Sequence, residues 1–344
     1  MSCHHNYVHQ VVKRCAVLAG LAAALLVFVI LDLANGGSSM PLTNVVSALF
    51  AGPTGTSIDA TIIWSIRLPM TLTALFVGTA LAVAGLEIQN ITGNALASPS
   101  TLGISSAASF GAAGAITLGL TVFGQLWIGT ALSAFVFALG VSLAIYALGK
   151  VQGMSPTTLI LSGIVMNFFF MALQQFLQYR SSPEVAQLIA GWTFGNLERS
   201  SWTSATAAGV VTLIGCAYLL TRSWALTALT LGEERARSLG VAVSRIRVEV
   251  FFLSSLMIAA AVGFIGTVSF VGLVAPHCAR LLIGEDQRFL LPATLLTGGV
   301  LMLASSFAAK LLSSGSMLPV GIITSLVGVP FLLILLLRSR GSLQ

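Results

Sequence analysis

The chain has 344 residues, 56% of them hydrophobic and 8% charged, with a mean hydropathy of +0.98. A soluble core of this length needs far more polar surface, so the composition excludes a soluble globular protein and indicates an all-α polytopic membrane protein. The net charge of +6 does not indicate nucleic acid, because the basic residues are scattered between apolar runs with no Arg/Lys cluster interleaved with aromatics.

A bilayer core about 30 Å thick needs roughly 20 apolar residues per helix. On that measure about ten transmembrane helices are predicted, over residues 14–34, 61–86, 101–120, 124–149, 157–178, 203–221, 246–263, 266–283, 289–311 and 319–337. Residues 1–13 form a tail ahead of the first run. That run follows Lys13 and Arg14, is longer than the apolar part of a signal peptide and lacks a small-x-small site after it, so it reads as an uncleaved helix. Cys3, His4, His5 and His9 have metal-ligand chemistry, but a tail of such residues is ordinary and no metal site is expected. Gln174, Gln175 and Gln178 recur at near-helical spacing on the fifth span. They either line a wet passage or hydrogen-bond between helices. His277 and Cys278 follow Pro276 and read as packed at a kink. Cys3, Cys15, Cys216 and Cys278 have no metal or redox spacing and read as free thiols.

With the N-terminus in the cytoplasm, ten spans place Lys13, Arg14, Lys150, Arg222, Arg235, Arg237, Arg245, Arg247, Arg280, Arg288, Arg338 and Arg340 on the inner side. Arg67, Arg180, Arg199 and Lys310 fall outside, a bias that fits the positive-inside rule. The longest cytoplasmic segment is then about 222–247. Within it LTLGEERARSLGV (229–241) concentrates Glu233, Glu234, Arg235 and Arg237. A short helix is predicted there, with Thr230 as N-cap and Glu233 completing a capping box. Glu233 and Arg237 form an i, i+4 pair in the favourable order, and Gly240 supplies a left-handed end. Glu233, Glu234 and Arg237 share one arc, and Leu231, Ala236 and Leu239 the other, broken by Arg235. The pattern alone fits either a helix that meets a partner or a solvated turn.

The chemistry that is missing also narrows the reading. A P-loop needs Gly-Lys followed by Ser or Thr, whereas the three lysines precede Arg14, Val151 and Leu311. There is no HExxH, GxSxG or Cys-x-x-Cys, so no catalytic residue is assigned. Glu87 and Arg67 lie at opposite ends of the second span, and helix centres carry essentially no charge. An ion-coupled secondary transporter of another fold, the rival reading, would more often show an acid or histidine at mid-membrane. A membrane-embedded enzyme would need a polar catalytic cluster at one depth, and none is apparent.

Five blocks then carry a family resemblance. They are RLPMTLTALFVGTALAVAG (67–85), GNALASPSTLGISSAASFG (93–111), LTLGEERARSLGV (229–241), GFIGTVSFVGLVAPHCARLLIGEDQRFLLP (263–292) and LPVGIITSLVGVPFLLILLLR (318–338). In this order, over about residues 14–340, the chain resembles the FecCD family of ABC importer permeases, which take up iron-siderophores, haem and vitamin B12. The resemblance implies a type II ABC importer permease fold, with residues 1–344 as a single permease domain in the bacterial inner membrane and both termini cytoplasmic. It implies a second copy or a paralogous permease, two ATPase subunits that bind ATP and Mg, a periplasmic substrate-binding protein and surrounding lipid. No cofactor is expected on this chain.

Residue by residue, the resemblance makes Leu231, Gly232, Glu233, Glu234, Arg235, Ala236, Arg237, Leu239 and Gly240 the ATPase-coupling helix. It places Asn94, Leu96, Ser155 and Pro156 at a cytoplasmic gate, and Arg67 and Lys310 at binding-protein docking. Met70 stands where the family commonly has Arg, and Ala95 where it has Pro. Lys310 keeps a charge but loses the fork of an arginine. With these departures the docking surface is weaker or uses Arg180 or Arg199. Residues 181–200 match a short periplasmic helix at the outer mouth. The cargo implied is a ferric siderophore, with haem and cobalamin as alternatives.

Overall fold

The computed structural model describes residues 2–37, 39–152, 154–313 and 317–339, with side chains from Val8 to Ile334 within those ranges and at Leu337. Its helices are α1 (Ser2–Ala34), α2 (Leu42–Ala51), α3 (Ile58–Ile62), α4 (Leu68–Thr92), α5 (Ile104–Leu118), α6 (Leu126–Gln152), α7 (Pro156–Arg180) and α8 (Pro183–Thr193). They continue as α9 (Trp202–Thr221), α10 (Ser223–Thr230), α11 (Glu233–Ser238), α12 (Val243–Ile265), α13 (Val271–Ile283), α14 (Gln287–Leu312) and α15 (Val320–Ser339). One π-helical turn, Ile63–Arg67, joins α3 to α4 without a break.

Every predicted span is occupied by a helix. Among the described residues seven helical stretches are long and apolar enough to cross a membrane: Val8–Ala34, Ile58–Thr92, Leu126–Gln152, Pro156–Arg180, Trp202–Thr221, Val243–Ile265 and Gln287–Leu312. α5, α13 and the apolar part of α15, Val320–Ile334, are shorter and complete the set. α2 is an addition to the predicted elements. It buries Val45 and Ala48 in a small cluster with Leu33, Ala34, Ala60 and Ile63.

α4 is the central post. Its apolar residues face inward all round, and α1, α9, α12, α13 and α14 pack against it. Membrane helices gain little from hydrophobicity between themselves, so close backbone approach matters more. Small residues allow it here. A Cβ built on Gly85 would lie 1.8 Å from the carbonyl oxygen of Gly272 in α13, and one on Gly78 would lie 2.5 Å from that of Gly298 in α14.

Between α12 and α13 the chain runs non-helical from Gly266, with φ 86°, to Phe270. Non-helical backbone within a membrane fold must find partners for its polar groups. Three hydrogen bonds tie this break and its neighbouring segments together. Thr267 donates its hydroxyl to the carbonyl of Thr193 at 2.5 Å, the Asn196 N–H donates to Ile265 O at 2.8 Å, and the Gly321 N–H donates to Phe194 O at 3.1 Å. The end of α8, the break after α12 and the start of α15 are thereby knotted.

The ends of the bundle differ in charge. One end carries Arg14–Asp286 at 3.1 Å, Arg280–Glu285 at 3.3 Å, Arg222–Glu249 at 3.2 Å and the α11 charges. The other carries Arg67, Lys310, Arg180 and Arg199. The sorting of basic residues predicted from helix alternation is therefore seen in three dimensions for these residues. The predicted C-terminal Arg338 side chain and Arg340 lie outside the described residues, as do the side chains of Cys3, His4 and His5.

Candidate functional site: a short charged helix, two loops and clefts at the opposite end

The segment 222–247 is structured throughout. Leu226, Ala228 and Leu229 bury one face of α10 and carry that helix on to Thr230. The predicted capping box is therefore absent. Thr230 ends α10 and donates its hydroxyl to Thr227 O at 2.8 Å. The N-cap of α11 is Gly232, at φ 100° and ψ 153°, with no side-chain cap. At the other end Gly240 takes φ 83°, and the Val241 N–H donates to Ala236 O at 3.0 Å. That closure satisfies a carbonyl the helix cannot satisfy itself. Arg237 and Glu233 pair at 3.2 Å.

The predicted apolar arc does not pack down as a unit. Ala236 is fully buried, whereas Leu231 and Leu239 are 52% and 50% exposed. Leu231, Glu234, Arg235 and Leu239 thus form an exposed mixed surface at the basic end.

Two loops lie behind α11. The first leaves α4 at Gly93, where Asn94 accepts a hydrogen bond from the Leu96 N–H at 2.9 Å and holds a tight turn. Leu96 is 66% exposed. The second precedes α7. Ser155 accepts from the Thr158 N–H at 3.1 Å, and Pro156 occupies the first helical turn, where its missing N–H costs nothing. The residues between Ser98 and Gly103 rest on α7, with Gly163 leaving room for Leu102.

A residue counted in the sequence only for its charge connects these parts. Arg247, in the first turns of α12, is 5% exposed. Its Nε donates to Ile91 O at 3.1 Å, its Nη1 to Met154 O, and its Nη2 to Glu233 Oε1. No local signal marks it, since Ile91 lies 156 residues away in the chain.

At the opposite end Arg67 and Lys310 are both buried. Arg67 donates to the carbonyls of Leu33 and Ala34 at 2.8 and 2.9 Å. Lys310 pairs with Asp32 at 2.8 Å. Their charges are turned to the C-terminal end of α1, beneath a cleft of about 720 Å³ that Met70, Leu197 and Glu198 also line. Arg180 and Arg199 are exposed. A second cleft of about 700 Å³ runs along α8, past Glu184, Glu198, Arg199 and Trp192. Its rim is acidic at Glu184, whose carboxyl is held below its ordinary range by hydrogen bonds from its own N–H and from Ser182. Gln178 donates to Ala186 O at 3.4 Å, so it fastens α8 to α7, while Gln175 is exposed.

His277 packs edge-on against Phe331 at 6.0 Å, joining α13 to α15. Cys15, Cys216 and Cys278 are free thiols. Among the described residues no three of His, Cys, Asp or Glu come together as metal ligands.

A many-helix membrane fold, with a short charged helix exposed at one end and two ordered loops behind it, fits a transport permease. The chain is 38% identical over 306 residues to the cobalamin import system permease BtuC of Halobacterium salinarum, covering 88% of this chain and 80% of that one. It is 33% identical to the molybdate import system permease MolB of Haemophilus influenzae, covering 95% and 97%. A solved chain described as a metal-chelate type ABC transporter in an inward-facing conformation superposes with a TM-score of 0.80, at 31% identity, over 94% of this chain and 99% of that one. The model of the FecCD transport family matches residues 24–338, and the chain belongs to that family. It is an ABC importer permease, a transport subunit of the multi-span membrane class.

Proposed function

We propose that this chain forms the membrane passage for a metal chelate, a ferric siderophore first among candidates, delivered by a periplasmic binding protein to the outer end. The basic end then faces the cytoplasm of a bacterial inner membrane, with both termini there. Two ATPase subunits bind ATP and Mg, and this chain binds neither. The passage lies between two copies, or between this chain and a paralogue. The apolar faces of α7 and α15 support that arrangement: Phe168, Phe176, Leu326 and Val329 are all more than half exposed. Asn94, Leu96, Ser155 and Pro156 close the inner mouth.

One observation carries the reading. α11 stands out from the basic end with Leu231, Glu234, Arg235 and Leu239 uncovered, which suits a groove on a partner protein. Interfaces of this kind pair apolar anchors with charges that set the register. The test is Glu234→Lys with Arg235→Glu, which inverts the exposed charges and leaves Glu233 in place. The variant should insert and melt like the parent, yet no longer co-purify with the ATPase or take up cargo with ATP. Undiminished ATP-driven uptake would overturn the proposal. Uptake driven by an ion gradient without ATP would instead favour the secondary transporter. Cargo is separated by presenting binding protein loaded with ferric siderophore, haem, cobalamin or molybdate and asking which stimulates ATP hydrolysis.

A further inference from the structure

Arg247 is a buried charge whose three donor nitrogens serve three separate pieces of chain. The contacts lie 156, 93 and 14 residues away in sequence. Each acceptor has a distinct position. Ile91 O is in the last turn of α4, where a helix leaves its carbonyls unsatisfied, and the first gate loop starts two residues later. Met154 O immediately precedes Ser155, the N-cap of α7 and the start of the second gate loop. Glu233 Oε1 belongs to α11, and the other oxygen of that carboxylate holds Arg237.

A guanidinium is planar and presents its donors in a fixed fork, so its three partners are held in one relative geometry. Hydrogen bonds between charged groups are the strong ones. The packing of α11 on the body is slight by comparison, since Ala236 is its only buried side chain. The polar link through Glu233 joins the exposed helix directly to the loops behind it.

We propose that Arg247 is the positioning residue that makes α11, the Asn94–Leu96 loop and the Met154–Pro156 loop move as one body. Displacement of α11 by the ATPase is passed through Glu233 to Arg247, and from Arg247 to both gate loops at once. The inference rests on the proposed role of α11 as the coupling helix.

The experiment uses the permease assembled with its ATPase, in a background without the four native cysteines and with Leu96→Cys as a reporter. Reaction of that cysteine with a water-soluble maleimide is followed with and without trapped ATP, beside the rate of ATP hydrolysis. In the parent the labelling rate should differ between the two states by about tenfold. In Arg247→Lys, which keeps the charge and loses the fork, the difference should fall below about twofold with the ATPase still bound and hydrolysis within about twofold of the parent. Glu233→Ala leaves the two carbonyl bonds of Arg247 in place, removes the link to α11 and should lose the labelling difference as well, so the inference stays testable where Arg247→Lys yields too little folded protein.

A full labelling difference in Arg247→Lys would overturn the inference. So would equal loss of labelling difference, hydrolysis and bound ATPase, because Arg247 would then serve assembly alone. Failure of the underlying reading is distinguishable: there, Glu234→Lys with Arg235→Glu would leave the ATPase bound.

Discussion

Lys310 of α14 and Asp32 of α1 form an ion pair of 2.8 Å with side chains 4% and 0% exposed. Lys310 also donates to the Asp32 carbonyl at 2.9 Å, and Thr71 donates to Asp32 Oδ2 at 2.6 Å. Breaking one side of such a pair leaves an uncompensated buried charge, which costs roughly 3–5 kcal/mol. Lys310→Met should therefore lower the melting temperature of the purified protein sharply. Asp32→Leu added to it should restore most of the loss. A single variant that melts like the parent would refute the pairing.

Gly85 and Gly272 predict a steric limit. The carbonyl of Gly272 stands where a Cβ on Gly85 would go, and both contacts are backbone, which cannot swing aside. Gly85→Ala should destabilise by about 1–3 kcal/mol, as overpacking does. Gly20→Ala, on the open face of α1 with nothing within 4 Å, should stay within about 0.5 kcal/mol of the parent. Parallel melting curves in one detergent compare them.

The outer face predicts a division of labour. Arg67 and Lys310 are engaged internally, whereas Arg199 is exposed at the rim of the α8 cleft. Arg199→Glu should weaken capture of the binding protein by about tenfold at low salt, and the loss should shrink as salt rises. Lys310→Met should act through stability instead. Titration of labelled binding protein against the reconstituted permease, at two ionic strengths, separates the effects.

Acidification should loosen the basic end. Hydrogen bonds from Arg288, side chain and backbone, hold the Asp286 carboxyl below its ordinary range, against an opposing push from burial, with Arg14 adding attraction. A carboxylate depressed in the native state adds stability above its unfolded pKa of about 3.9 and loses it as pH falls through the native value. The melting-temperature gap between the parent and Asp286→Asn should be constant near neutral pH and close in the acid range. A gap independent of pH would exclude this origin.

The spans were legible because continuous apolar runs of bilayer length need no tertiary information. α2 was not, since ten residues are too few for a span and its partners Leu33 and Ile63 flank it at a distance. The Thr230 cap failed because composition does not report where a preceding helix stops, and Leu226 and Leu229 prolong α10 past the expected start. The Glu233–Arg237 pair is local, and spacing was enough to find it. The burial of Lys310 was hidden because its partner lies 278 residues earlier. Arg247 was hidden for the same reason twice over, by Ile91 and by Met154.

The knot between Thr193, Gly266–Phe270 and Gly321 has a consequence for how any solute gets past. The end of α8 is bonded to both of the other pieces, so pulling it away would break main-chain hydrogen bonds to each. Widening the chain there means giving up those bonds. In the two-copy arrangement proposed above, room for a bulky molecule would come from the copies parting along their shared seam.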